Sequence, residues 1–267
     1  MNAAALLNKH RIADSFSRAA QTYDAAAELQ RQIGHQLLAS LAVAAPDCIP
    51  ERVLDLGSGT GYFTPLLRQR FAASQLLSLD LAQGMLAYAR EHRPDPNAAW
   101  LCGDAESLPL ASDSLDLIFS SLAIQWCERP ERLFAEIARV LRPGGRFVGA
   151  TLGPDTLHEL RDAWAQVDGD MHVNRFVGRE HLLADLPATL RLRAFTTENR
   201  VLRYTQLRQL TSELKGIGAH NMNHGQPAGL TGKARVQAFK AAYERHRDPE
   251  GLLPATYQVY YLNVEKM

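Results

Sequence analysis

Cysteine is scarce in this sequence: Cys48, Cys102 and Cys127 are the whole supply, with no CxxC spacing among them. An odd and scattered set suggests neither a disulfide framework nor a zinc site, and the three are expected to be buried free thiols. Net charge is missing as well, since Lys+Arg and Asp+Glu each total 29. The overall balance therefore offers nothing to nucleic acid or to an anionic membrane, and any charged partner must be met by a local patch. No apolar run approaches the roughly 20 residues of a spanning helix, and "MNAAALLNKHR" lacks the cationic start of a secretory signal. A soluble, cytoplasmic protein is expected. GxSxG and HExxH are absent too, which removes the nucleophile elbow and the zincin site from consideration.

What the 267 residues do contain is size and pattern for one large α/β unit. From Asp14 to Ala45 the spacing is helical, with Leu29, Ile33, Leu37, Leu38 and Leu41 on one face, and Pro46 and Pro50 close the segment. Short β-type runs then alternate with helical ones: "RVLDL", a helix from Thr64, "QLLSLD", a helix from Gln83, "AAWLCGD", "LDLIFSSL", a helix from Pro130, "GRFVGATL" and a helix from Pro154. Such alternation implies right-handed crossovers and a mostly parallel sheet. Beyond Val167 the regularity weakens: 168–177 reads as loop, "LRLRAFTTENRVLRY" as one or two strands, 206–217 and 233–246 as helices, and "TYQVYYLNVEK" as a closing strand.

The first strand runs into Gly57, Gly59 and Gly61. Ligands of open parallel sheets bind at the carboxyl ends of strands, and glycine there lets a ligand meet the main chain without a Cβ in the way. Asp80 closes the second strand nineteen residues beyond Gly61, where a carboxylate accepts from both hydroxyls of a ribose. Tyr62 stands where the dinucleotide fingerprint requires its third glycine, so a nucleoside without a pyrophosphate is indicated. "RPGG" at 142–145 suits a type II turn and carries no chemistry.

"VLDLGSGTGYFT", the acid of "LSLD", "CGDAESLPL", "LDLIFSSLAIQW" and "VLRPGGRFV" occur in the order and spacing of class I S-adenosylmethionine-dependent methyltransferases, which residues 50–155 resemble. The resemblance implies a Rossmann-like sheet of seven strands, the last antiparallel, with helices on both faces. It also implies that Asp55 supports the cofactor ammonium group beside Gly57, Ser58, Gly59 and Gly61, and that Asp80 binds the ribose. Asp104 and the Ala105 N–H would take the adenine, with Leu81, Met85 and Ser121 around the cofactor. The flanks "KHRIADSFSRAAQTYDAAAELQ", "HVNRFVG", "LKGIGAHNMNHGQPAGLTGK", "AYERHR" and "LLPATYQVYYLNVEK" extend the resemblance over nearly the whole chain to malonyl-acyl-carrier-protein O-methyltransferases of biotin synthesis. Gln226 departs from that pattern, where a basic residue is expected. Residues 1–50 would then form a helical cover and 51–267 the methyltransferase domain, with additions for acceptor and partner in 168–250 after the fifth strand. The core motifs alone serve equally a methyltransferase of another small acid or quinone-type acceptor, while intact Asp55, Asp80 and Asp104 count against a non-catalytic cofactor-binding module.

A carboxylate acceptor has a reference pKa near 4, so it is already an ionised nucleophile at neutral pH and needs no general base. The residues to seek are those that position it. Tyr23, before a helix laid over the cofactor, is one; Asp24 beside it reads as a helix N-cap. Arg175 is expected to grip the acceptor carboxylate through its planar fork and Phe176 to wall the transfer site, with Gln125 and Trp126 at the end of the fourth strand. No metal is expected: Asp168, Asp170 and His172 read as a polar loop, the glycines and asparagines around His220 and His224 oppose a helix, and "GLTGK" fails as a phosphate loop at Pro227 and Ala234. Between Arg175 and Lys215 eight cations face four acids, an excess suited to docking an acidic carrier protein.

Overall fold

The computed structural model describes residues 8–44, 49–219 and 232–267, so Cys48, His220, His224, Gln226 and Pro227 lie outside the described residues. Two helices, α1 (Lys9–Ala26) and α2 (Glu28–Ala44), precede β1 (Arg52–Leu56), α3 (Thr64–Arg70), β2 (Gln75–Asp80), α4 (Gln83–His92), β3 (Ala98–Cys102), β4 (Leu115–Ser121), α5 (Pro130–Val140) and β5 (Leu141–Leu152). Then follow α6 (His158–Ala165), α7 (Arg179–Ala184), β6 (Leu190–Tyr204), α8 (Leu207–Gly216), α9 (Lys233–Tyr243) and β7 (Leu253–Lys266). The seven strands form one sheet in the order β3-β2-β1-β4-β5-β7-β6. Strands β1 to β5 pair in parallel, and β7 runs antiparallel between β5 and β6. Strand order reverses between β1 and β4, and the carboxyl ends of those strands open the crevice of the sheet.

Alternation along the central strands builds a core on each face. Val53, Leu117, Phe119 and Val148 pack beneath Leu29, Ile33, Leu37 and Leu41 of α2, whereas Leu54, Leu56, Ile118 and Phe147 meet Leu133, Phe134 and Ile137 of α5. Helix α1 buries Ala20 against Ala82 and Met85 at the start of α4, a third small cluster that includes Phe16 and Tyr23. Among the described residues no helix is long and apolar enough to cross a membrane.

The amino-terminal helical pattern resolves into two helices rather than one. Ala27, 2% exposed, breaks the run with φ −97° and ψ 35°. The stripe of α1 serves α4 and α8 while that of α2 serves the sheet, and no glycine or proline marks the joint. Asp24 accordingly sits inside α1 and is not the expected N-cap. Helix α6 starts at His158, four residues after Pro154, because Leu157 takes a left-handed φ of 53° as its N-cap. The turn at "RPGG" is present, with Gly144 at φ +79°. Cys102 is exposed rather than buried, since β3 is an edge strand, and Cys127 is half-buried.

One buried carboxylate fixes α6 to the sheet. Glu159, 3% exposed, accepts from the Thr256 N–H at 3.0 Å and from its hydroxyl at 2.5 Å. Glu159→Ala strands both donors of β7 away from water and is expected to cost about 2–3 kcal/mol, read as a lower midpoint in urea unfolding.

Candidate active site

The glycine turn after β1 is built for close approach. Gly57, Gly59 and Gly61 have φ of +75°, +54° and +73°, a region L side chains rarely enter. A Cβ on Gly57 would stand 2.1 Å from that of Ala123, and one on Gly61 would meet Ala89 and Trp100 at 3.0 Å. Gly61, rather than position 62, thus provides the tight packing behind the loop. Gly59 lines the cavity, with open space where its Cβ would be.

That cavity, about 100 Å³, runs along the carboxyl ends of β1, β2 and β4. Of the residues expected to hold the cofactor, Gly57, Gly59, Asp80, Leu81, Met85, Asp104, Ala105 and Ser121 line it. Ser58 lines a smaller neighbouring hollow with Asp24, Gln30 and Thr60. Asp55 and Gly61 lie behind the loop, absent from both linings. Asp80 receives the N–H of Gly59 at 2.8 Å and of Ala82 at 2.7 Å, which fixes the carboxylate while leaving it acceptor capacity toward the cavity.

Charge at this end is unbalanced. Burial, and then the neighbouring Asp80, push the Asp55 carboxyl up to about 8. Burial raises Asp80 too, against the backbone N–H bonds that favour its charged form. Asp55 Oδ2, Ser58 Oγ and Ser121 Oγ are all buried without a hydrogen-bond partner. Two carboxylates and two idle hydroxyls fit a ligand that brings a cationic amine and further donors, as the methionine end of S-adenosylmethionine does.

At the opposite end Asp104 accepts from the Glu106 N–H at 2.9 Å and from Lys9 Nζ at 2.6 Å. Lys9 also meets Glu106 at 2.9 Å, so the first turn of α1 is clamped over the Asp104 end of the cavity. The sequence reading missed Lys9, whose role depends on where α1 lands.

A second cavity of about 260 Å³ adjoins the first and is mostly apolar, with Leu152, Leu160, Trp164, Phe176 and Phe239 on its walls. Phe16, Tyr23, Leu122 and Trp126 line both cavities and form the partition between them. Phe16 stands edge-on to Trp126 at 5.2 Å and 6.4 Å from Tyr23. Leu122 holds a strained φ of 53°; the amide of Gln125 donates to its carbonyl at 2.6 Å, and the Gln125 carbonyl accepts from Thr151 at 3.4 Å. Gln125 lines the second cavity with its amide engaged in holding the turn. Burial first, then the charges of Asp80 and Asp24, keep the Tyr23 phenol far above its ordinary range, so it stays a neutral donor.

The structure thus brings Tyr23, Phe176, Gln125 and Trp126 together. Arg175 is exposed and lines neither cavity, whereas His172, Val173, Asn174 and Phe176 on either side of it line the second. Lys215 of α8 is the lysine or arginine among the described lining residues of the second cavity. Asp168 and Asp170 are both bridged by Arg235, with His172 2.8 Å from Asp168, so a guanidinium holds the loop that was read as polar.

Sheet order, glycine turn and acidic strand ends define a class I methyltransferase. The sequence matches the methyltransferase domain family over residues 54–149. Similar curated proteins include the biotin biosynthesis bifunctional protein BioHC of Cellvibrio japonicus, 54% identical over 97% of this chain and 50% of that protein. Another is the malonyl-[acyl-carrier protein] O-methyltransferase of Hahella chejuensis, 42% identical over 95% of this chain and 89% of the relative. The chain therefore spans about half the length of the bifunctional relative and most of the single-function one. A solved N-methyltransferase from Haemonchus contortus, in complex with phosphomonomethylethanolamine and S-adenosylhomocysteine, shares the fold at a TM-score of 0.54 and 21% identity, over 87% of this chain and 52% of that one. The chain belongs to the malonyl-[acyl-carrier protein] O-methyltransferase family.

With the Asp55 carboxyl raised to about 8 by burial and by Asp80, a cationic amine brought beside it would displace a proton below that pH. Cofactor binding at pH 6.5 is expected to release close to one proton, and affinity to fall by up to about tenfold per pH unit below 8. Calorimetric titration in buffers of different ionisation enthalpy reads the proton directly, and Asp55→Asn should abolish it.

Proposed function

We propose that the protein transfers a methyl group from S-adenosylmethionine to the free carboxylate of a malonyl thioester on acyl carrier protein, giving the methyl ester that starts biotin synthesis. The observation that carries this reading is the pair of adjoining cavities: one is lined by the Asp80 carboxylate and the unpaired Ser121 hydroxyl, with the unpaired oxygens of Asp55 and Ser58 buried behind and beside it, the other is apolar, and they share a wall of Phe16, Tyr23, Leu122 and Trp126. The names of the relatives, with identity over nearly the whole chain, support the malonyl acceptor and its carrier. When bound, S-adenosylmethionine supplies a methyl activated by a sulfonium.

The chain's own work is positioning. Asp55, Ser58 and Ser121 hold the amino-acid end, Asp80 the ribose, and Asp104 with the Ala105 N–H the adenine. Held so, the cofactor would present its methyl toward the aromatic partition. One acceptor carboxylate oxygen forms the new O–C bond while the S–C electron pair stays on sulfur, and no proton moves. Both charges vanish in the step, so an apolar wall that excludes water does not oppose it. Holding the two atoms about 3 Å apart and in line supplies most of the acceleration. Tyr23, neutral and at the partition, orients the reacting groups, and Phe176 closes the acceptor side.

Arg193, Arg200 and Arg203 are matched by Glu265, Glu198 and Asp248. Arg179 lies over the Phe195 ring at 4.9 Å. The basic excess is thereby reduced along β6, and exposed Lys215 at the acceptor cavity becomes the first cation to assign to an acidic carrier.

Labelled cofactor should methylate malonyl-carrier protein and leave acetyl-carrier protein, which has no free carboxyl, unlabelled; label on both would overturn the acceptor assignment. Lys215→Glu is expected to raise KM for malonyl-carrier protein by about fivefold or more at low salt, and to change KM for malonyl-coenzyme A much less. Arg175→Lys, which destroys the fork of a gripping guanidinium, tests the exposed arginine in the same assay: unchanged turnover removes it from the acceptor site.

A further inference from the structure

Next to Tyr23 in sequence, Asp24 points away from the partition and into the back of the glycine turn. Its Oδ1 accepts from the Thr60 hydroxyl at 2.7 Å and its Oδ2 pairs with Arg93 Nη2 at 2.5 Å. Arg93, the residue that caps α4, donates its other nitrogen to the Thr60 carbonyl at 2.6 Å. Asp24, Thr60 and Arg93 therefore close a ring of three hydrogen bonds across α1, the glycine turn and α4. Arg31 of α2 donates to the Asp24 carbonyl, at the point where α1 ends. The guanidinium groups of Arg31 and Arg93 lie 5.8 and 5.7 Å from the centre of the Tyr62 ring, so the turn's own aromatic is held by the same two cations. Thr60 is 2% exposed, and the side chains of Asp24 and Arg93 are 26% and 21% exposed, which shields the ring from competing water.

An ordinary helix-surface ion pair would tie α1 to one neighbour. This one locks its last turn to the loop whose backbone faces the cofactor. Consecutive helical residues project about 100° apart, so fixing Asp24 on the loop sets where Tyr23 stands on the partition. We infer that Asp24 is a positioning residue for methyl transfer: through Thr60 and Arg93 it registers Tyr23 against the glycine turn and hence against the reactive methyl. The inference rests on the function proposed above, and it assigns to Asp24 no contact with cofactor or acceptor. It accounts for the Tyr-Asp pair as a unit, with one side chain at the reacting atoms and the other at the frame that carries them.

A residue that acts only through another leaves a signature in a double-mutant cycle. If Asp24 works through Tyr23, Asp24→Ala should lower kcat about 10- to 100-fold, the range expected for a misplaced reacting group, while cofactor affinity moves by less than about threefold. Tyr23→Phe sets the reference, and adding Asp24→Ala to it should cost little more. Thr60→Val removes the same hydroxyl from the other side at nearly constant shape, and it should show the same loss and the same lack of additivity even if Asp24→Ala folds poorly. Circular dichroism and cofactor binding report folding for each variant. Losses that multiply in the double variants, or a normal kcat in both Asp24→Ala and Thr60→Val, would overturn the assignment. Failure of the wild-type protein to methylate malonyl thioesters would instead refute the function, whatever the variants do.

Discussion

Two interacting carboxylates at the ends of β1 and β2, Asp55 buried and Asp80 half-buried, are the constraint around which the molecule is arranged. Asp55 and Asp80 cannot both ionise cheaply without a cation, and the described residues place none beside them: Lys9 is spent on Asp104 and Glu106, and Arg93 on Asp24. In the function proposed above, the sulfonium and ammonium of the cofactor would relieve that cost. Glycines at positive φ bring the main chain to the same place, and Asp80 holds the turn by taking the Gly59 N–H. The fold thus favours a cationic ligand at this place before any acceptor is considered.

Helix α1 converts that binding site into an enclosed one. It is clamped at one end by Lys9 on Asp104 and at the other by Asp24 on Thr60, and in the middle Ser17 accepts from the Gly84 N–H at 3.1 Å. On its other side Ser15 and Thr22 donate to the carbonyls of Gly218 and Gly216 at 3.1 and 2.9 Å. The helix therefore touches the cofactor cavity with one face and the α8 wall of the acceptor cavity with another. A single element carries Phe16 and Tyr23 to the boundary, so the alignment of the two substrates depends on how firmly that element is seated.

Much of this was legible in the sequence because it is local. Strand-helix alternation with its mostly parallel sheet, the Gly57 to Gly61 turn and the acid at 80 follow from short-range pattern, whereas the antiparallel final strand and the parts given to Asp55 and Asp104 are what the resemblance to class I methyltransferases implies. What escaped depends on tertiary placement. The joint at Ala27 has no glycine or proline to mark it, and Asp24 read as a cap because its true partners, Thr60 and Arg93, are 36 and 69 residues away. Phe16 carries no signal in the sequence, because its place on the partition depends on where α1 lies. Arg175 is exposed while Val173, Asn174 and Phe176 around it line the second cavity, and composition cannot say which residues of an irregular loop turn inward. Helix α7, only six residues long, is too short for periodicity to reveal.

The central claim is spatial: cofactor and acceptor occupy separate cavities and meet at the wall of Phe16, Tyr23, Leu122 and Trp126. A crystal structure of the protein with S-adenosylhomocysteine and malonyl-coenzyme A tests it most directly. The account predicts the homocysteine sulfur at that wall, its amino group against Asp55, and a malonyl carboxylate oxygen on the far side facing the sulfur, with the thioester running out through the cavity of Trp164 and Phe176. A malonyl group seated outside that cavity, or a nucleoside lying away from Asp80 and Asp104, would contradict it.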